Sequence, residues 1–101
     1  MEAMEFVNLK FKTKYPPNMV AKTVKDAIKR ELRVSKMMTK GYKKKLKEFE
    51  SKYDKSSKKF YSEFEKGKLG DKQDYFEWFA YIQYHKDREQ RYKILQGAVS
   101  D

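Results

Sequence analysis

Apolar and polar side chains alternate near the start of the chain, in the stretch EFVNLKFKT at residues 5–13. The apolar positions of this stretch are Val7, Leu9 and Phe11. A period of two is typical of a half-buried β-strand, and Pro16 and Pro17 would end it. Because a lone strand is not stable in isolation, we expect it to pair with a second copy of the chain or with a partner protein, or to pack on the helices.

Beyond the prolines the period changes to three or four residues, which is typical of an amphipathic helix. The side chains on this apolar face are Val20, Val24, Ile28, Leu32, Ser35, Met38, Tyr42, Leu46, Phe49 and Tyr53. At about 100° per residue they stay within an arc of roughly 120°, so the pattern predicts one long helix over residues 18–54, capped by Asn18. A glycine inside a helix costs about 1 kcal/mol. Two helices that meet at Gly41 are therefore the alternative.

A short helix is predicted to follow the stretch DKSS at residues 54–57, which interrupts the long helical pattern. Ser56 or Ser57 can cap this helix, which is predicted over residues 57–66. Gly67 fits the left-handed position that often follows the end of a helix.

The last helix is predicted over residues 71–96, with Asp71 as its N-cap and Asp74 adding negative charge to its first turn. Its core face is predicted to consist of Tyr75, Trp78, Phe79 and Ile82. The pattern as a whole predicts an all-α fold with one short N-terminal β-strand. Residues 1–101 are expected to form a single domain, in which the long amphipathic basic helix packs against a C-terminal helical segment.

Several side chains of the last helix lie off its core face. Tyr81 and Tyr84 lie about 100° or more from that face. Tyr92 and Leu95 follow further along the helix, where the residues on the core face have become polar. Exposed tyrosines are enriched at protein-binding surfaces. Ordinary partial exposure, with the ring covered and the hydroxyl in water, is the alternative. The candidate contacts for a partner protein are Tyr81, Tyr84, Tyr92 and Leu95.

Positive charge is concentrated in the long helix. The net charge is +10, and residues 20–59 alone hold 15 Lys and Arg against 5 Asp and Glu. Such a density favours an anionic partner, although a solvated helix face is the simpler interpretation. Opposite the apolar face lie Lys22, Lys25, Lys29, Arg33, Lys36, Lys40, Lys43, Lys44 and Lys47. The aromatic and the basic residues belong to different segments, which disfavours a surface where nucleic-acid bases stack.

The composition offers little for catalysis. There is no cysteine, His85 is the only histidine, and neither a G-x-S-x-G motif nor a P-loop occurs. We therefore expect no enzyme activity, no cofactor and no metal site. With 40% charged residues and a mean hydropathy of −1.07, no segment is predicted to cross a membrane. Because no signal-peptide pattern is present, a cytoplasmic protein is expected.

Residues 56–78 carry the spacing S-x3-F-x3-F-x2-G-x-L-G-D-x2-D-x-F-E-W. This stretch resembles the tail of small archaeal and bacterial antitoxin-like proteins, which are encoded beside small ribonuclease-like toxins. The matching positions are Ser56, Phe60, Phe64, Gly67, Leu69, Gly70, Asp71, Asp74, Phe76, Glu77 and Trp78. The resemblance implies a helical protein that binds and blocks a toxin through its last helix.

Two hypotheses for function follow. The first is a non-catalytic, antitoxin-like protein that binds and occludes a ribonuclease-type toxin. The alternative is a nucleic-acid-binding module whose basic helix face contacts phosphates with little reading of base sequence. The two can coexist in one protein. An amphipathic helix on an anionic membrane ranks last, because the apolar face is rich in Tyr and small residues rather than Leu and Trp.

Overall fold

The computed structural model describes residues 8–98 and shows three helices in this part of the chain. They are α1 (Pro17–Tyr53), α2 (Ser57–Glu65) and α3 (Gln73–Ala98). The predicted N-terminal strand is not seen: residues 8–13 form no regular structure, and residues 5–7 lie outside the described part. An alternating segment forms a strand only against a neighbouring strand, and the described chain offers none.

Helix α1 is continuous over 37 residues and differs from the predicted range by one residue at each end. Its first residue is Pro17, a position where proline is favoured because the missing N–H would have no partner. The predicted cap, Asn18, is wrong, since it lies inside the first turn and Pro16 occupies the cap position. The helix ends at Tyr53, and the next residue, Asp54, turns the chain with a left-handed φ of 50°. Gly41 does not interrupt the helix.

The connections on either side of α2 follow the predicted capping signals closely. Ser56 Oγ accepts a hydrogen bond from the Lys59 backbone N–H at 3.1 Å, so Ser56 is the N-cap of α2. Gly67 has a φ of 69°, in the left-handed region that favours glycine. Helix α3 begins at Gln73, so Lys72 occupies the position before it and the predicted cap, Asp71, is wrong, whereas Asp74 lies in the first turn as predicted.

Helices α1 and α3 form a long antiparallel pair, as the predicted packing of a long helix on a C-terminal helix requires. Trp78 near the start of α3 contacts Tyr53 at the end of α1, and Arg88 contacts Glu31 further back along α1. The molecule measures 57 × 31 × 23 Å, and its radius of gyration of 19.0 Å exceeds the value of about 13 Å typical of a compact chain of this length. Most side chains therefore reach the surface.

The core is small and aromatic, and it lies where α2 meets the α1–α3 pair. Phe60 and Trp78 are the only fully buried large apolar side chains among the described residues. Phe49 and Tyr53 of α1 stack on the Trp78 ring at centroid distances of 5.6 and 5.8 Å. Tyr75 packs on Phe60 at 5.7 Å, so the aromatic face predicted for α3 is the face that closes the core.

Candidate nucleic-acid interface

A straight row of cations runs along one flank of α1, and we call it the basic stripe. Its members are Lys22, Lys25, Lys29, Arg33, Lys36, Lys40, Lys43, Lys44 and Lys47. All of them are exposed. At about 100° per residue they fall within an arc of about 100°. The only acidic residue in this arc between the two ends of the stripe is Asp26.

Nearly all cations of the basic stripe lack an ion-pair partner. Lys22 Nζ lies 2.9 Å from Asp26 Oδ2, and the hydrogen bond to that carboxylate raises the pKa of Lys22. Within residues 8–98, the remaining 8 cations have no carboxylate within ion-pair distance. Apart from the longer-range attraction between Lys29 and Asp26, their charges are available to an anionic ligand.

The basic stripe is long and nearly straight. From Lys22 to Lys47 it spans 25 residues, or about 37 Å at 1.5 Å per residue. A straight α1 of 37 residues would be about 55 Å long, which matches the 57 Å longest dimension of the molecule. A rigid line of positive charge is thus presented along most of the molecule.

Towards the end of α1 the basic stripe borders an open depression of about 800 Å³. Its lining residues are Lys40, Lys43, Lys44, Lys47, Glu48, Ser51 and Lys52. The other charged lining residues are already compensated, since Lys52 pairs with Asp74 at 2.6 Å and Glu48 pairs with Lys45 at 3.7 Å. The uncompensated charge of this region therefore belongs to the stripe itself.

Helix α3 brings an aromatic ring to the middle of the basic stripe. A shallow groove of about 270 Å³ is lined by Lys36 and Thr39 of α1 and by Tyr92 of α3, together with Glu89, Lys93 and Gln96. Glu89 is compensated within the groove, because its carboxylate lies 3.6 Å from Lys93 Nζ. Tyr92 and the basic stripe belong to different segments of the sequence but are neighbours in the fold.

The four candidate contacts for a partner protein do not share one surface. Tyr81 is half-buried between the helices, with its ring centroid 6.0 Å from that of Tyr42. Tyr84 and Leu95 line a groove of about 450 Å³ on one edge of α3, where Ile94 is 67% exposed. Tyr92 lies on the other edge, beside Lys36. Tyr84 and Leu95 thus share a groove and Tyr81 contacts Tyr84 with the ring centroids 6.1 Å apart, whereas Tyr92 lies apart from them.

A polar cluster that the sequence pattern did not reveal fixes how α3 lies on α1. Arg88 Nη1 and Arg91 Nε lie 2.7 and 3.1 Å from Glu31 Oε1. Arg88 Nη1 also donates a hydrogen bond to Ser35 Oγ at 3.4 Å, and Ser35 is fully buried. The signal that could have indicated the cluster is a serine on the apolar face of α1. By locking the rotation of α3, these contacts place Tyr92 beside the basic stripe.

A second exposed apolar area lies at the beginning of α1, beyond the end of α3. Leu9 is 71% exposed and Phe11 is 56% exposed. They line a groove of about 580 Å³ together with Val20, Val24 and Ile28 of α1. Nothing in the described part of the chain covers this groove.

Comparisons with models of protein families, with curated proteins and with solved structures found no match to this chain. Among residues 8–98, none of the helices combines the length and the apolar character needed to cross a membrane.

Proposed function

We propose that this protein is a non-catalytic nucleic-acid-binding module, in which the basic stripe contacts the sugar–phosphate backbone. The observation that supports it is the row of 8 exposed cations without ion-pair partners among residues 8–98. Like charges placed this close together repel one another and raise the free energy of the unbound protein. A polyanion along the stripe relieves that repulsion.

Binding of this kind has a recognisable energetic signature. Phosphate contacts release counterions from the nucleic acid, so the affinity depends strongly on salt concentration. Eight of the nine stripe cations are lysines, which act as point charges and lack the planar fork with which arginine reads guanine edges. The affinity should therefore depend weakly on base sequence.

The test compares two triple charge reversals that change the net charge equally. Lys36→Glu/Lys40→Glu/Lys44→Glu lies in the basic stripe, whereas Lys58→Glu/Lys66→Glu/Lys68→Glu lies on exposed positions around α2. Fluorescence anisotropy with labelled oligonucleotides at low salt measures the affinity. The stripe variant should lose at least about 100-fold in affinity, whereas the control should lose less than about tenfold. Equal losses, or no binding by the wild-type protein, would contradict the proposal.

A partner protein is the second candidate, as the resemblance of residues 56–78 to antitoxin-like tails implies. The structural observation that favours it is the groove beside Tyr84, which is 52% exposed and has Ile94 at 67% exposure as its neighbour. A toxin-like protein bound there should stay bound at high salt and be released by Tyr84→Ala or Leu95→Ala. Co-purification from the native host after nuclease treatment measures how much partner protein is retained by wild type and by each of the two variants. A partner lost at high salt would contradict this candidate.

A further inference from the structure

We infer that the ligand of the basic stripe is a single-stranded nucleic acid, whose backbone runs along α1 and one of whose bases stacks on Tyr92. This inference rests on the proposed function and specifies its ligand. It follows from the spacing of the stripe, from its straightness and from the position of the Tyr92 ring.

The spacing of the stripe matches that of an extended strand. Successive stripe cations are never more than 4 residues apart, which corresponds to about 6 Å along α1. Consecutive phosphates of an extended single strand are separated by a similar distance. Every turn of α1 between Lys22 and Lys47 therefore offers at least one cation to a phosphate, without a gap. At one phosphate per turn of about 5.4 Å, the stripe holds about seven nucleotides.

A duplex does not match this arrangement along its length. The two backbones of a duplex wind around its axis, so a straight line along its surface crosses grooves about 12 Å and about 6 Å wide where no phosphate lies. About two turns of stripe cations would face the wider groove without a phosphate. Following one backbone around the duplex would require a curved helix, whereas α1 is nearly straight. A flexible single strand can instead follow the stripe.

Insertion of α1 into the major groove is also poorly matched. A helix in that groove has phosphates on both of its flanks. The stripe occupies one flank, in an arc of about 100°. On the far flank Lys45 and Lys52 are paired with Glu48 and Asp74, which leaves Arg30 as the one cation of that flank without an ion pair among the described residues.

The Tyr92 ring lies where a base of such a strand would reach. It lines the groove that also contains Lys36, in the middle of the stripe. A phosphate at Lys36 places its attached base over this groove. Bases of a single strand have free faces and can stack on an aromatic side chain, whereas bases of a duplex are covered by their neighbours.

The experiment measures anisotropy with oligo(dT), with oligo(U) and with a mixed-sequence duplex, at one salt concentration and with lengths of about four, seven and fifteen nucleotides. The affinity for single strands should rise steeply up to about seven nucleotides and slowly beyond. The duplex should bind about tenfold or more weakly than the single strand of equal length. Equal binding of oligo(dT) and oligo(U) indicates backbone contacts alone, and a preference for oligo(U) indicates added contacts to the 2′-hydroxyl; both outcomes support a single-stranded ligand.

Tyr92 is tested separately, with a matched control. Tyr92→Ala should weaken single-strand binding about fivefold and leave duplex binding unchanged, whereas Tyr92→Phe should bind as wild type. Ile94→Ala, an exposed truncation on the other edge of α3, should have no effect. A duplex bound as tightly as the single strand, or an unchanged affinity in Tyr92→Ala, would overturn the inference while leaving the proposed function intact. If binding depends on the basic stripe for none of the oligonucleotides, the proposed function is refuted instead.

Discussion

The indole of Trp78 stacks on the ring of Phe60, with the two centroids 4.0 Å apart and the ring planes inclined by 5°. Trp78 Nε1 donates a hydrogen bond to Ser57 Oγ at 2.9 Å, so the polar edge of the indole is satisfied although the ring is buried. This contact joins α2 to α3, and the stacking of Phe49 on the indole at a centroid distance of 5.6 Å joins both helices to α1. The whole fold depends on a core of a few rings.

Truncating a side chain at the centre of this core should strongly destabilise the protein. Trp78→Ala or Phe60→Ala is expected to lower the free energy of unfolding by about 3–5 kcal/mol, because a large cavity replaces stacked rings. Urea denaturation followed by circular dichroism measures this loss in the free energy of unfolding. Phe76→Ala, which removes a ring of α3 that is 54% exposed, should cost less than about 1 kcal/mol. Equal losses for Trp78 and Phe76 would contradict the packing described here.

The Glu31 cluster should contribute more than an ordinary surface ion pair. The Glu31 carboxylate accepts a hydrogen bond from Arg88 and forms an ion pair with Arg91, and its side chain is 31% exposed. Glu31→Gln is expected to lower the free energy of unfolding by about 1 kcal/mol or more, since Arg88 then loses its charged partner beside buried Ser35. The matched change Glu48→Gln breaks an exposed pair with Lys45 and should cost less than about 0.5 kcal/mol. Equal costs in urea denaturation would count against the cluster.

Two glycines should respond to alanine in opposite directions. Gly41 lies inside α1, and a Cβ there would meet nothing within 4 Å. Gly41→Ala should therefore raise the free energy of unfolding by about 0.5–1 kcal/mol. Gly67→Ala should lower it by about 1 kcal/mol, because the φ of 69° is unfavourable for a residue with a side chain. Thermal unfolding of both variants checks the prediction, and a gain at Gly67 would refute the assigned turn.

Acid should weaken the contact between the end of α1 and the start of α3. Lys52 Nζ and Tyr53 Oη each donate a hydrogen bond of 2.6 Å to Asp74 Oδ2. The bond from Lys52 has the larger effect, and together the two bonds hold the pKa of Asp74 below its ordinary value of 3.8. The ionised carboxylate thus favours the folded state above the ordinary pKa, and this contribution is lost as the pH falls through the lower folded-state pKa. Wild type should lose more stability than Asp74→Asn between about pH 5 and about pH 2. Parallel losses would show that these hydrogen bonds do not bias folding.

The parts of the fold with strong periodic patterns were predictable from sequence. The apolar face of α1 recurs over ten positions, so its phase survives Gly41, and Ser56 and Gly67 carry local capping signals that need no tertiary context. The alternation in residues 8–13 is too short to specify a strand without a neighbouring strand. The predicted cap, Asn18, lies two residues after the observed cap, Pro16, because Pro17 is also favoured at a helix start.

The candidate site was only partly accessible to the same reasoning. The cations of the basic stripe follow from helical geometry alone, since every one of them belongs to α1. The position of Tyr92 beside Lys36 does not, because it depends on the rotation of α3 about its own axis. That rotation depends on contacts between residues far apart in sequence, such as Arg88 with Glu31, which are 57 residues apart. Tyr81 and Tyr84 were separated from the core face by angle, but their rings still pack on Tyr42.

The most direct test of the basic stripe is the salt dependence of binding to a single strand of about fifteen nucleotides. Each phosphate contact with a single strand contributes about −0.7 to the slope of log K against log salt concentration, so contacts from all 8 unpaired cations would give a slope of about −5 to −6. Lys36→Glu/Lys40→Glu/Lys44→Glu should reduce the magnitude of this slope by about 2, while Lys58→Glu/Lys66→Glu/Lys68→Glu should leave it unchanged. A slope that is the same in both triple variants, or close to zero in wild type, would contradict the account.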